Sequence, residues 1–480
     1  MSAKRTAIFN QGRGKQHGAV LTIMLVIMIV GIAAILVNSL SSATLKNARQ
    51  KNTAAALAQA KDALIGFAIT YSNTHTTSPQ VNGYLPCPDI AGGLTEGSAE
   101  LSCGLQDVSV IGRLPWATLD LSILRDGDGE CLWYAVSGTY KDNPKTGLMN
   151  WDTNGQFQAY APDGTTLLSN QVVAVIFAPG APQSGQDRSD TTAPVCGGNY
   201  TATSYLDKDI GHSNIDNAAV ATGIFIQGTS GGTVNDQMLF ITKQDIWNAV
   251  QKRTDFQNTL KLMTQRVAEC LANYGKHNSN INNKSLPWPA PLSLGTNALT
   301  DYYPNTNYDD TALLYAGRVP YNVATSKGTT GNTILTPYYL LEGPLSTGGA
   351  GVNNCPSADW FTKYYPWWSN WKEHLFYAIG QTFRPTLNTN QSCGGFNCLS
   401  INGSGQYAGV VIFAEQILSN QTRADKSVIA GYLEGNNASN VAGIPFPATG
   451  AENYQTAPVS STFNDVLYCI NADLTVIPCP

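Results

Sequence analysis

The chain has 480 residues, enough for two or three hydrophobic cores, and carries a formal net charge of -5 with only 13% charged residues. Gly, Asn, Ser and Thr are abundant, the profile of an exported, loop-rich, β-containing protein and not of a cytoplasmic enzyme of average composition. No stripe of Lys and Arg runs through the body, so the chain lacks what phosphate binding needs and nucleic acid is not an expected partner.

Residues 1–18 carry Lys4, Arg5, Arg13 and Lys15 and no acidic residue, and 19–37 are uncharged and apolar except for Thr22. The uncharged run reaches Leu45, long enough to cross a hydrocarbon core of ~30 Å as a helix. Basic residues ahead of it favour an N-inside orientation, although Lys46, Arg49 and Lys51 weaken the asymmetry. A cleavable secretory signal normally has a shorter apolar region ending at a small-residue site. A plain signal anchor is the other alternative. Leu57, Leu64, Ala68 and Tyr71 continue one apolar face, so a helix is predicted from Ala19 to about Thr74, roughly 85 Å long at 1.5 Å per residue, with 19–42 in the membrane.

Gly18 sits between the basic leader and the apolar run. This arrangement resembles the prepilin leader, and the long helix resembles the stem of type IV pilins and pseudopilins. The resemblance implies cleavage by prepilin peptidase between Gly18 and Ala19, a methylated Ala19, and other pilins or pseudopilins as partners. It also implies a single-pass bacterial inner-membrane protein with its body in the periplasm. Most pilins of this kind have a glutamate as fifth mature residue, which neutralises a neighbour's amino terminus. Here Ile23 stands there, which suits a tip or initiating subunit of a type IV pilus or type II secretion filament better than a repeating shaft. A membrane-anchored periplasmic binding protein or adhesin that never polymerises is the alternative.

The body reads as one unit written twice. Leu85-Pro86-Cys87-Pro88 is answered by Leu286-Pro287-Trp288-Pro289, and GRLPW at 112–116 by GRVPY at 317–321. ECLWYAV at 130–136 matches EHLFYAI at 373–379, VVAVIFA at 172–178 matches GVVIFA at 409–414, and NDQMLFI at 235–241 matches NDVLYCI at 464–470. Thr242 and Asp245 are suited to capping a second helix, along which Phe256, Leu260, Met263, Val267, Leu271 and Tyr274 keep helical spacing. Short apolar runs bounded by Gly, Asn and Pro read as buried strands. The expected architecture is α+β: a long N-terminal transmembrane helix leading into two tandem pilin-like lobes, 43–242 and 243–480, each a helix packed on a mainly antiparallel sheet. The repeated anchors LPCPD, GRLPW and VIFAPG also resemble those of large pseudopilin-like proteins.

The cysteines number ten, and their spacing offers no close CxxC pair for zinc. An even count suits an oxidising compartment and disulfides, with Cys87–Cys103, Cys393–Cys398 and Cys469–Cys479 as the local pairings to expect.

Asp126, Asp128 and Glu130 alternate on a Gly-rich turn that can offer oxygens to a structural calcium ion or simply precede a strand, and no other cofactor is expected. Gly228-Thr229-Ser230-Gly231-Gly232 fits the GxSxG pattern, but strand-like residues follow where the nucleophile elbow needs a helix. The histidines, His17, His75, His212, His277 and His374, show no paired-ligand spacing, so no enzyme is expected. Trp360, Trp367, Trp368 and Trp371 crowd one segment, either as a partner-binding patch or as a local core.

Overall fold

The computed structural model describes residues 17–75, 80–91, 95–190, 192–229, 232–277, 284–293, 311, 313–323, 338–341, 355, 357–385, 392–394, 398–441 and 452–480, with the side chains of most of 17–42 outside the description. The fold is α+β with two curled sheets. The first contains β1 (Val110–Arg113), β2 (Trp133–Val136), β3 (Phe157–Tyr160), β4 (Leu167–Ala178), β5 (Ile224–Ile226) and β6 (Gln237–Thr242), ordered β1-β2-β4-β3-β5 with β6 on the other edge of β4. After β7 (Ala316–Arg318) comes a separate ribbon of β8 (Asn322–Val323) and β9 (Tyr338–Tyr339). The second sheet then adds β10 (Leu375–Ile379), β11 (Leu399–Ile401), β12 (Ser404–Phe413), β13 (Asn453–Tyr454), β14 (Val466–Asn471) and β15 (Val476–Pro478).

The order of the second sheet is β7-β10-β12-β11-β13, with β14 beside β12 and β15 outside β14. Strand for strand it matches the first sheet, down to one parallel pair: β3 with β5, and β11 with β13. The register, however, departs by one residue from the match read in the sequence. Ala178 pairs with Gln237 and Phe413 with Val466, so Ala178, not Phe177, is the counterpart of Phe413. Side chains alternate faces along a strand, so the shift decides which core each enters. Phe413 and Ala178 face the large central core, whereas Phe177 and Ile412 face the outer ones.

The helices are α1 (His17–Thr74), α2 (Lys243–Gln251), α3 (Thr254–His277), α4 (Tyr365–Trp371) and α5 (Gly435–Val441). Ala56, Leu57, Ala60, Leu64, Ala68 and Tyr71 recur every three or four residues and are the buried stripe of α1. Upstream, 43–52 are exposed. Thr242 caps α2 by accepting from Asp245 N, while the Asp245 carboxylate accepts from Thr242 N, a reciprocal capping box.

The expected transmembrane helix and pair of pilin-like lobes are corrected here. No helix among the described residues is long and apolar enough to cross a membrane. Nor does the body divide into two helix-on-sheet lobes, because a single apolar cluster joins α1, α2, α3 and α4 to the inner faces of both sheets. Each sheet is also covered on its outer face, by Tyr205 and Leu206 in the first and by Tyr432 and Leu433 in the second. Sheets buried on both sides explain why VVAVIFA reads as an unbroken apolar run and not as an alternating one.

Disulfides join Cys87–Cys103, Cys131–Cys196, Cys270–Cys355, Cys393–Cys398 and Cys469–Cys479. None links residues before Lys243 to residues after it.

Candidate functional site: the base of the first helix and the seam between the sheets

Where α1 enters the body, the acidic turn 126–130 grips it. Gly127 N donates to Thr53 Oγ1 at 2.9 Å, and Arg49 pairs with Asp128 at 3.0 Å. The approach is so close that a Cβ on Gly127 would lie 2.3 Å from Arg49 O. Asp126 Oδ1 accepts from Asp128 N and Glu130 N, and its Oδ2 from Gly180 N. Glu130 pairs with Arg188 at 3.1 Å. The three carboxylates proposed for calcium are thus committed to three different partners. Burial raises the pKa of Asp126, which its backbone donors only partly offset. The turn fastens α1 to the first sheet.

The tryptophans lie elsewhere and inside. Trp360, Trp367, Trp368 and Trp371 are all buried. Trp371 stacks on Trp367 at 5.2 Å and meets Trp151, Trp247 and Phe256 edge-on at 5.9–6.0 Å. They offer no surface to a partner. They fill the seam between the sheets, because Trp151 lies on the loop between β2 and β3 of the first, Trp247 and Phe256 on α2 and α3, and Trp371 on α4.

The seam also holds a polar cluster that no sequence spacing pointed to. Asp152, Glu373 and His374 place one ligand atom each within 4.8 Å of one another. His374 Nε2 lies 3.3 Å from Asp152 Oδ2 and 3.8 Å from Glu373 Oε1. Spacings near 3.3 Å suit a metal with bonds of ~2.1 Å. The charges do not, because Arg423 sits 3.0 Å from Asp152 Oδ2 and Lys426 is bonded to Glu373 Oε2, so both carboxylates are already neutralised. Burial, with Arg423, Arg318 and Lys426 close by, holds the imidazole pKa far below its ordinary value and the ring neutral. Burial likewise raises the Asp152 carboxyl, against the pull of Arg423. Asn150 closes the seam by donating 2.9 Å to Glu373 Oε1 and 2.8 Å to Asn370 O. The cluster clasps residues 149–152 to 370–374.

A hydrogen-bond network occurs twice, once in each half. Asp207 N donates to Asp236 Oδ2 at 2.6 Å, and Glu434 N to Asp465 Oδ2 at 3.1 Å. Asn217 Nδ2 and Asn437 Nδ2 bond the same two aspartates at 3.1 and 2.9 Å. Gln186 bonds Asp207 as Gln421 bonds Glu434, at 2.8 and 2.7 Å. Arg113 packs over Trp133 and Tyr205, and Arg318 over Phe376 and Tyr432. Two signals for this network stand in the sequence and were not read: Gln186-Asp-Arg188 against Gln421-Thr-Arg423, and Tyr205-Leu206-Asp207 against Tyr432-Leu433-Glu434. At the counterpart of Cys131, which is bridged to Cys196, the second half has His374.

Of the remaining sequence candidates, Gly18 and Ala19 fall where side chains lie outside the described residues, as do Ser230 and Gly231. His75 stacks on Tyr71 at 3.9 Å, and His212 pairs with Asp209 at 3.0 Å. No family model, curated protein or solved structure matches the chain.

Proposed function

We propose that the chain is an exported structural subunit of the minor-pilin or pseudopilin kind, released from its basic leader 1–18 by prepilin peptidase and joined to its assembly through the projecting part of α1. The observation that carries this reading is the two-part character of α1. Thr53 to Tyr71 is a core element, while the side chains of 43–52 stand exposed and the turn 126–130 holds this stretch at Arg49. A helix of 58 residues at 1.5 Å each is about 87 Å long, far more than the body uses. The five disulfides support an oxidising compartment outside the cytoplasm. The seam cluster, neutralised and buried, supports a structural role over a catalytic one.

The test is N-terminal and intact-mass analysis of the native protein, combined with its distribution between cell-bound and sheared filament fractions. A methylated chain starting at Ala19 and recovered with filaments is the expected outcome. A chain starting at Met1 would sink the proposal, and one processed at Ala19 but absent from every filament fraction would favour the non-polymerising adhesin or binding protein.

A further inference from the structure

The two sheets treat their edges alike, with one exception. The edge of β1 is covered by Asp89, which exchanges two backbone hydrogen bonds with Arg113, and that of β7 by Ala290, which does the same with Arg318. The edge of β5 is plugged by the Asn217 side chain, which accepts from Ile226 N at 2.9 Å and donates to Ile226 O at 3.0 Å. Asn437 plugs the edge of β13 in the same way through Gln455. β14 is covered by β15, which ends in Pro478 and is pinned by Cys469–Cys479. Exposed strand edges are templates for pairing, and each of these devices blocks one.

β6, the counterpart of β14, has no β15. Among the described residues its outer edge is met by side chains alone: Lys61 Nζ donates to Phe240 O at 3.0 Å while Asp245 holds the ammonium at 3.0 Å and accepts from Thr242 N at 2.9 Å. Phe240 corresponds to Cys469, which pairs with Ile477, so the lysine stands where a strand's N–H would donate. Met238, two residues back, turns its backbone to the same side; its counterpart Leu467 accepts there from Cys479 N. The side chains show the difference too: Tyr468 and Cys469 are buried, whereas Leu239 and Phe240 are half-buried.

We propose that the outer edge of β6 is a docking edge for an extended strand of another polypeptide, added antiparallel where β15 lies on β14, with Lys61 as its displaceable cap. The second sheet specifies the occupant: an uncharged segment like Val476-Ile477-Pro478, aliphatic at its centre and offering an N–H opposite Phe240. The inference stands independently of the filament reading.

A peptide of residues 473–480 with Cys479→Ser and a photo-cross-linker at its amino terminus serves as the probe on the full chain, with adducts mapped by mass spectrometry. Adducts within 237–242 are expected, increased several-fold by Lys61→Ala and removed by N-methylation at the Ile477 nitrogen. No adducts even with Lys61→Ala, adducts scattered over the surface, or adducts indifferent to N-methylation would overturn the proposal. So would self-association of the Lys61→Ala chain without peptide, which would give the edge to a second copy.

Discussion

Asp236 and Asp465 are buried against a second carboxyl, Asp207 and Glu434 respectively. Burial first, and the neighbouring carboxyl second, raises both well above the ordinary carboxylate range. Each therefore takes up a proton on folding. Their contribution to stability is full below about pH 4, the unfolded value, and is lost as pH rises through the raised folded values. Glu415 and Glu452, each pushed up to about 7 by burial, slope the same way. Asp236→Asn and Asp465→Asn should flatten the fall in stability above about pH 4 and leave the protein more stable at pH 8, as followed by urea melts across pH. Unchanged slopes would remove the carboxyl pairs from the account. The repeated Gly-Arg and Asn-Asp pairs were legible in the sequence. Their engagement was not, because each network closes between residues tens of positions apart, where a local pattern carries no signal.

α1 and α3 were legible because their apolar residues recur every three to four positions over several turns. α4 was not. Residues 359–377 hold so many aromatics that no face stands out, and a π-helical turn over Trp360–Tyr364 shifts the phase before α4 begins. Once folded, those rings pack on α2, α3 and the loop bearing Trp151. Trp371→Ala should cost about 3–5 kcal/mol in urea unfolding, with loss of near-ultraviolet dichroism from the stacked rings. A cost under about 1 kcal/mol would mean the ring is not the core element its burial indicates.

At the scale of the whole molecule, the repeat was visible as ordered matches, but the meeting of its two halves was not. A comparison of windows says which segments are alike and nothing about which faces touch. The two readings differ in energy, since separate lobes would survive loss of the Asp152–Arg423 contact and a shared core would not. Asp152→Ala leaves Arg423 buried without its countercharge and should destabilise both halves together by about 3–5 kcal/mol. A cycle with Arg423→Met should recover part of that loss. Independent melting of the two halves, seen by calorimetry, would restore the picture of separate lobes.

The disulfides carry a consequence for how the chain is made. Numbered along the sequence, the cysteines pair first with second, third with fourth, and so on to ninth with tenth. A chain crossing into an oxidising compartment amino end first presents its thiols in that same order. Each finds its native partner as the next to arrive, before any competitor has emerged. If the chain is exported as proposed, vectorial synthesis selects the native connectivity without a template, and an oxidant alone suffices where scrambled pairings would demand an isomerase. The same chain refolded in bulk, all thiols present at once, forfeits that ordering.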